Sequence, residues 1–78
     1  MSGKVKEILL QYAEVDESMI TGEADLQNDL GLNSFDLMSI VVEFEDQFGI
    51  QINDEDIANL ATVQDIEDTL KSMGISID

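Results

Sequence analysis

The residue best placed for chemistry is Ser34, within the run Asp29-Leu30-Gly31-Leu32-Asn33-Ser34-Phe35-Asp36-Leu37. Gly31 is free to take a positive φ between its two leucines. Asn33 suits an N-cap, because its side-chain oxygen can accept an orphan backbone N–H of a first helical turn. The run reads as a turn that delivers Ser34, exposed, to the start of an amphipathic helix, with Asp36 favourably placed in the first turn. As a nucleophile Ser34 lacks partners, since the chain contains neither His nor Cys to activate it. A hydrolase is therefore a weak reading. The carboxylates can be paired on paper, but most fall on solvated helix faces. Asp25-Leu26-Gln27-Asn28-Asp29 approaches a calcium loop, yet Leu30 stands at the obligatory glycine and Asp36 at the closing glutamate. No glycine-rich phosphate loop or thiolate metal site is present.

Several amphipathic segments must position that serine. Val5, Ile8, Leu9, Tyr12 and Ala13 keep helical spacing, predicting a helix over Gly3–Glu14 with Ser2 as its cap and Tyr12 as a half-buried packing residue. A connection from Val15 to Asn33 follows, long for a compact domain and therefore functional or anchored by its own apolar residues. Met19, Ile20, Leu26, Leu30 and Leu32 recur through it. The second helix is predicted over Ser34–Phe48, ending at Gly49. Leu37, Ile40, Val41, Phe44 and Phe48 share its core side. Phe35, Met38 and Val42 lie opposite with Ser39, Glu45 and Asp46, an apolar patch ringed by acids that reads as a docking surface. Ile50 and Ile52 alternate too briefly for a strand. Asn53 or Asp54 starts a short helix to about Leu60, with Ile57 and Leu60 inward. Thr62 caps a last helix with Asp65 near its third position, apolar at Val63, Ile66, Leu70 and Met73 and closed by Gly74. Ile75-Ser76-Ile77-Asp78 is expected to fray. The fold expected is all-α: a small bundle of three main helices plus one short helix, in one domain over residues 1–78.

Charge decides which partners fit. Eighteen acids face three bases, for a net −15, and no Lys or Arg occurs between Lys6 and Lys71. A direct nucleic-acid binder must supply cations to phosphates, so nucleic acid is excluded, and an anionic membrane repels the chain. Basic protein surfaces are attracted, in a salt-dependent way. Leu, Ile, Val and Phe make up 25 of the 78 residues, enough for a thin core rather than a disordered chain. There is no apolar run of membrane-spanning length and no basic-then-apolar signal stretch, so a cytoplasmic monomer is expected.

Gly31-Leu32-Asn33-Ser34-Phe35 resembles the Gly-x-Asp-Ser-Leu signature of acyl carrier proteins, and the resemblance covers nearly the whole chain. Asp29-Leu30-Gly31 resembles that family's approach to the serine. Glu43-Phe44-Glu45-Asp46-Gln47-Phe48 resembles its acidic second helix. Ile52-Asn53-Asp54-Glu55 matches its Ile-Pro-Asp-Glu turn, and Ala61-Thr62-Val63-Gln64-Asp65 its last-helix start. The resemblance implies an acyl-carrier-protein-like bundle that is not an enzyme. It implies that a phosphopantetheinyl transferase moves 4′-phosphopantetheine from coenzyme A onto Ser34, and that the arm's thiol carries acyl groups as thioesters. A serine at a helix N-terminus suits a phosphodiester, because N–H groups and the helix dipole favour negative charge there. Phe35, Met38, Val42, Glu45 and Asp46, with Asn33, Asp36 and Ser39 beside them, would then meet acyltransferases, ketosynthases and other synthase enzymes through basic surfaces. Acyl chains would be sheltered between helices.

Three positions depart from that family's pattern. Asn33 stands where Asp is usual, Phe35 where Leu is usual, and Ser39 where Glu is frequent. They leave open whether the pathway is fatty-acid synthesis, slightly favoured, or a polyketide or other secondary pathway. Two readings of other classes stay open on sequence alone: an unmodified acidic helical adaptor and an acidic cation-binding protein.

Overall fold

The structure is a computed structural model describing residues 3–76, so the proposed Ser2 cap and the Ile77-Asp78 end lie outside the described residues. Helices α1 (Gly3–Leu10), α2 (Ser34–Phe48), α3 (Asp54–Ala58) and α4 (Val63–Ser72) are joined by loops, the first of which holds a 3-10 turn over Glu17–Met19. The bundle is three main helices and one short one, as the periodicity predicts. Among the described residues the β-structure amounts to an isolated bridge between Asp25 and Thr62.

One apolar core gathers Val5, Ile8 and Leu9 of α1, Ile40, Val41 and Phe44 of α2, and Val63, Ile66 and Leu70 of α4. Phe48 extends it by stacking on Phe44, with ring centroids 6.1 Å apart and planes 8° from parallel. Short α3 buries no residue completely; Ile57 and nearby Leu60 pack against the core from its edge. The connection supplies Ile20, Ala24, Leu26, Leu30 and Leu32, all buried. Met19 is not one of its anchors, being 48% exposed.

Two boundaries differ from expectation. Helix α1 ends at Leu10 rather than Glu14: the Gln11 and Tyr12 amides reach the Ile8 and Leu9 carbonyls, three residues back, and tighten the turn. Asp16 then caps the 3-10 turn by accepting from the Ser18 amide at 3.0 Å. At the other end Ile75 does not fray. Its amide donates to the Leu70 carbonyl at 3.0 Å and its side chain packs against the core.

The first loop is stitched to the start of α4 by backbone. Leu26 N–H donates to Ala61 O at 2.9 Å, Val63 N–H to Ala24 O at 3.1 Å, and Gln64 N–H to Gly22 O at 2.9 Å. Thr62 and Asp65 hold that start by capping each other's backbone amides. The Asp65 carboxylate accepts from the Ala61 and Thr62 amides at 2.9 and 3.0 Å, and these two bonds hold its pKa below the ordinary aspartate value.

A folded pKa below the unfolded one stabilises the fold above the unfolded value, about 3.8, and that gain vanishes as pH falls through the lowered folded pKa. Asp65→Ala is therefore expected to cost about 1–2 kcal/mol at pH 7, read as a shift in the urea midpoint. Comparing wild type with Asp65→Asn, the wild-type advantage should shrink as pH drops from 5 to below 3. A difference that stays constant over that range would contradict the assignment. Gly49 sits at φ 65°, accepting no side chain without strain, so Gly49→Ala should cost roughly 1–2 kcal/mol in the same measurement.

Candidate functional site

Ser34 is the first residue of α2, and its exposure follows from the loop before it. Asp25 organises that loop: its carboxylate accepts from the Gln27 and Asn28 amides, and its own amide donates to Asp29 at 2.7 Å. The Leu32 amide closes the loop onto Leu26 O at 3.0 Å, burying Leu26, Leu30 and Leu32 together. Gly31 makes the turn between the last two leucines at φ 70°, the left-handed region that glycine enters without penalty. With both leucines held inward, the chain emerges at Asn33 pointing along the α2 axis.

Asn33 and Asp36 then start the helix reciprocally. The Asn33 side chain accepts from the Asp36 amide at 2.8 Å, and the Asp36 carboxylate accepts from the Asn33 amide at 3.2 Å. Leu37 N–H donates to Asn33 O. The Ser34 and Phe35 amides, first in the turn, have no intrahelical partner and no other hydrogen bond. A hydroxyl therefore projects beside two free N–H donors at the positive end of a fifteen-residue helix. An anionic group esterified to Ser34 would find donors and favourable dipole there. The carboxylate of Asp36 is already turned to its capping bond.

Of the other residues singled out in the sequence, the structure exposes Phe35 (78%), Met38 (49%) and Val42 (50%) along α2. Asp46 is exposed, and Ser39 is half-buried. Glu45 departs from a purely outward role, since its carboxylate accepts the Ile52 amide at 2.8 Å and ties the end of α2 to the approach to α3. All three cations lie away from this face. Lys4 pairs with Glu7 at 3.8 Å, Lys6 with Glu17 at 3.7 Å, and Lys71 sits in the last turn of α4. The face of α2 is apolar at its centre and anionic around it.

Sequence reasoning placed Tyr12 among packing residues and missed its second aspect. Tyr12 is half-buried and lines a shallow groove with Met38, Ser39, Val42 and Glu43 of α2. The available signal was the residue type: a tyrosine at the end of a core stripe has an apolar body and a polar tip. The calcium-loop spacing is used for turn-building instead, with one oxygen each of Asp25 and Asp29 accepting backbone amides. Among the described residues no group of acids is arranged to hold a metal ion, and no helix is long and apolar enough to cross a membrane.

Comparison with known proteins adds to this geometry. Residues 3–70 match the family described as phosphopantetheine attachment site, PP-binding. A curated acyl carrier protein of Thermotoga maritima is 46% identical over 63 residues, spanning 81% of this chain and 78% of that protein. The solved acyl carrier protein of Enterococcus faecalis, described for its high thermal stability, superposes with a TM-score of 0.75 at 32% identity, covering 88% of this chain and 87% of the other. The match runs from α1 through most of α4 and includes the serine turn. The chain thus belongs to the phosphopantetheine-attachment family as an acyl carrier protein, a carrier and not an enzyme, with 4′-phosphopantetheine as its covalent group.

Proposed function

We propose that Ser34 is the attachment residue and that the chain presents acyl intermediates to fatty-acid or related synthase enzymes. The observation that carries this reading is the exposed Ser34 hydroxyl beside the unbonded Ser34 and Phe35 amides at the head of α2. The Ser34 hydroxyl oxygen attacks the coenzyme A phosphorus that bears the pantetheine; the pyrophosphate bond breaks, adenosine 3′,5′-bisphosphate leaves, and the oxygen becomes the ester oxygen of the phosphodiester. Its proton goes to a base on the transferase, since this chain has no His or Cys to receive it and the nearby Asp36 carboxylate accepts the Asn33 amide. When bound, the group supplies a thiol that holds acyl groups as thioesters. The free amides and the helix dipole stabilise the phosphodiester's charge, while Asn33, neutral where an aspartate would repel it, adds no opposing charge.

Recognition follows from the same helix. Phe35, Met38 and Val42 give an enzyme partner apolar purchase, and the acids around them attract cationic surfaces from a distance. Asp36, Asp46 and the half-buried Ser39 lie beside that stripe. Glu45 contributes mainly by fixing the α2–α3 corner through Ile52.

Storage of an acyl chain inside the bundle requires movement. The apolar cleft between α2 and α4, walled by Leu37, Val41, Phe44, Ile52, Leu60 and Leu70, has a volume of about 10 Å³, room for about one water. The segment from Ile52 to Leu60, which carries short α3 and meets the cleft through Ile52 and Leu60 at its two ends, has least to lose on opening.

The test is loading followed by acylation. Protein incubated with coenzyme A and a broad-specificity phosphopantetheinyl transferase should gain one phosphopantetheine increment in intact mass. It should then accept an acyl group that hydroxylamine removes. Ser34→Ala should gain neither, and loading of the Ala variant would overturn the assignment. Phe35→Ala, with most of its ring in solvent, should fold normally yet lower the transferase kcat/KM about tenfold, the effect of losing roughly 1.4 kcal/mol of contact. The wild-type rate should also fall as salt is raised.

A further inference from the structure

Ser34, Met38 and Val42 are spaced i, i+4, i+8 on α2, so they form one row, with successive members about 6 Å apart along the helix axis. Tyr12 stands beside that row. With Met38, Ser39, Val42 and Glu43 it bounds a groove of about 350 Å³, within the range of about 300–1,000 Å³ usual for small-molecule sites. The groove therefore begins one helical turn from the serine and runs away from it along the helix. Its walls are the Tyr12 ring, the Met38 thioether chain and the Val42 methyls, with Ser39 and Glu43 as polar groups.

We infer that this groove, between α2 and the turn that follows α1, seats the proximal part of the 4′-phosphopantetheine arm on Ser34, with Tyr12, Met38 and Val42 against the arm's gem-dimethyl segment. The inference rests on Ser34 being the attachment residue. Charge disfavours two other occupants. A second copy of this chain, itself at −15, is repelled, and Glu43 disfavours a free anion. Beyond its phosphodiester the arm is uncharged, combining a dimethyl group with amides that Ser39 and Glu43 can meet. Tethering at the head of the row gives the arm a high effective concentration at the groove, so weak contacts suffice. The two neighbouring concavities fit less well. The cleft between α2 and α4 holds only about 10 Å³. The basin on the other side of Tyr12 is walled by Glu14, Asp29 and Asp36 and offers little apolar surface. Tyr12, which lies outside the serine turn and outside α2, thereby becomes a positioning residue for the arm.

The experiment is an isotope-filtered NMR comparison of the ¹³C,¹⁵N-labelled protein before and after loading with unlabelled 4′-phosphopantetheine, with loading verified by intact mass. The expected result is cross-relaxation between the arm's dimethyl protons and the Tyr12 ring and Val42 methyls. Amide shifts at Tyr12, Ser39, Val42 and Glu43 should accompany it, beyond those around Ser34. Tyr12 also packs against the core, so Tyr12→Ala is paired with Val42→Glu on the exposed row, each driven to complete loading and checked by circular dichroism. Both should lose the cross-relaxation, and the remote amide shifts should fall at least twofold. A loaded wild type whose arm contacts nothing beyond the serine turn, or contacts Leu60 and Ile52 instead, overturns the groove while leaving the carrier reading intact. Failure of Ser34 to load overturns both.

Discussion

The position of Ser34 depends on a backbone stitch far from it in sequence. Three hydrogen bonds join residues 22–26 of the first loop to residues 61–64 at the start of α4. Isolated, each such bond contributes about 1 kcal/mol, too little to order the 23-residue connection between α1 and α2. Their effect is geometric: they fix where the loop begins its final turn. From there Leu26, Leu30 and Leu32 sink into the core, and Gly31 reverses the chain between the last two. Asn33 and Asp36 then convert a pinned loop into a helix whose first residue is the serine. The last helix thus helps to present a residue of the second.

The same construction separates two electrostatic tasks. Carboxylates at Asp16, Asp25, Asp29, Asp36 and Asp65 each turn one oxygen to backbone amides, and they build turns and caps. Most of the remaining acids are solvated and give the surface its field. With the three lysines on α1 and at the end of α4, no lysine among the described residues lies on α2 to neutralise its face. With the arm on Ser34 as proposed, its ester would meet the helix dipole, whereas an approaching enzyme would meet the acids. One helix would then hold a phosphodiester and attract cationic proteins, because the two effects act over different distances.

Much of this was legible in the sequence because it rests on local rules. Asn33 before Ser34, Thr62 with Asp65 three residues later, and Gly49 after Phe48 each announce a helix end through short-range chemistry. The 3.6-residue period separated Ile40, Val41 and Phe44 from Phe35, Met38 and Val42 correctly. What could not be read depended on contacts between distant segments. The Asp25–Thr62 bridge has no sequence signature. Nor does the early end of α1, where an apolar stripe continues through Tyr12 and Ala13 although the backbone has tightened. Glu45 looked like any solvated acid on α2, until the fold brought the Ile52 amide beneath it. Tyr12 packs half-buried, as its spacing implied, but the groove it forms with α2 exists only once the fold sets the two side by side. Ile75 gave no sign that the tail would return to cover the core.

On the proposed function, the loop, the cap and the helix together make Ser34 the one residue to receive the arm. Fragmentation mass spectrometry of the protein, loaded from coenzyme A and cleaved into peptides, tests it most directly. A single phosphopantetheine mass is expected on the peptide containing residues 30–40, with the fragment series breaking at Ser34. The mass on Ser39, on Thr62 or on any other hydroxyl would contradict it.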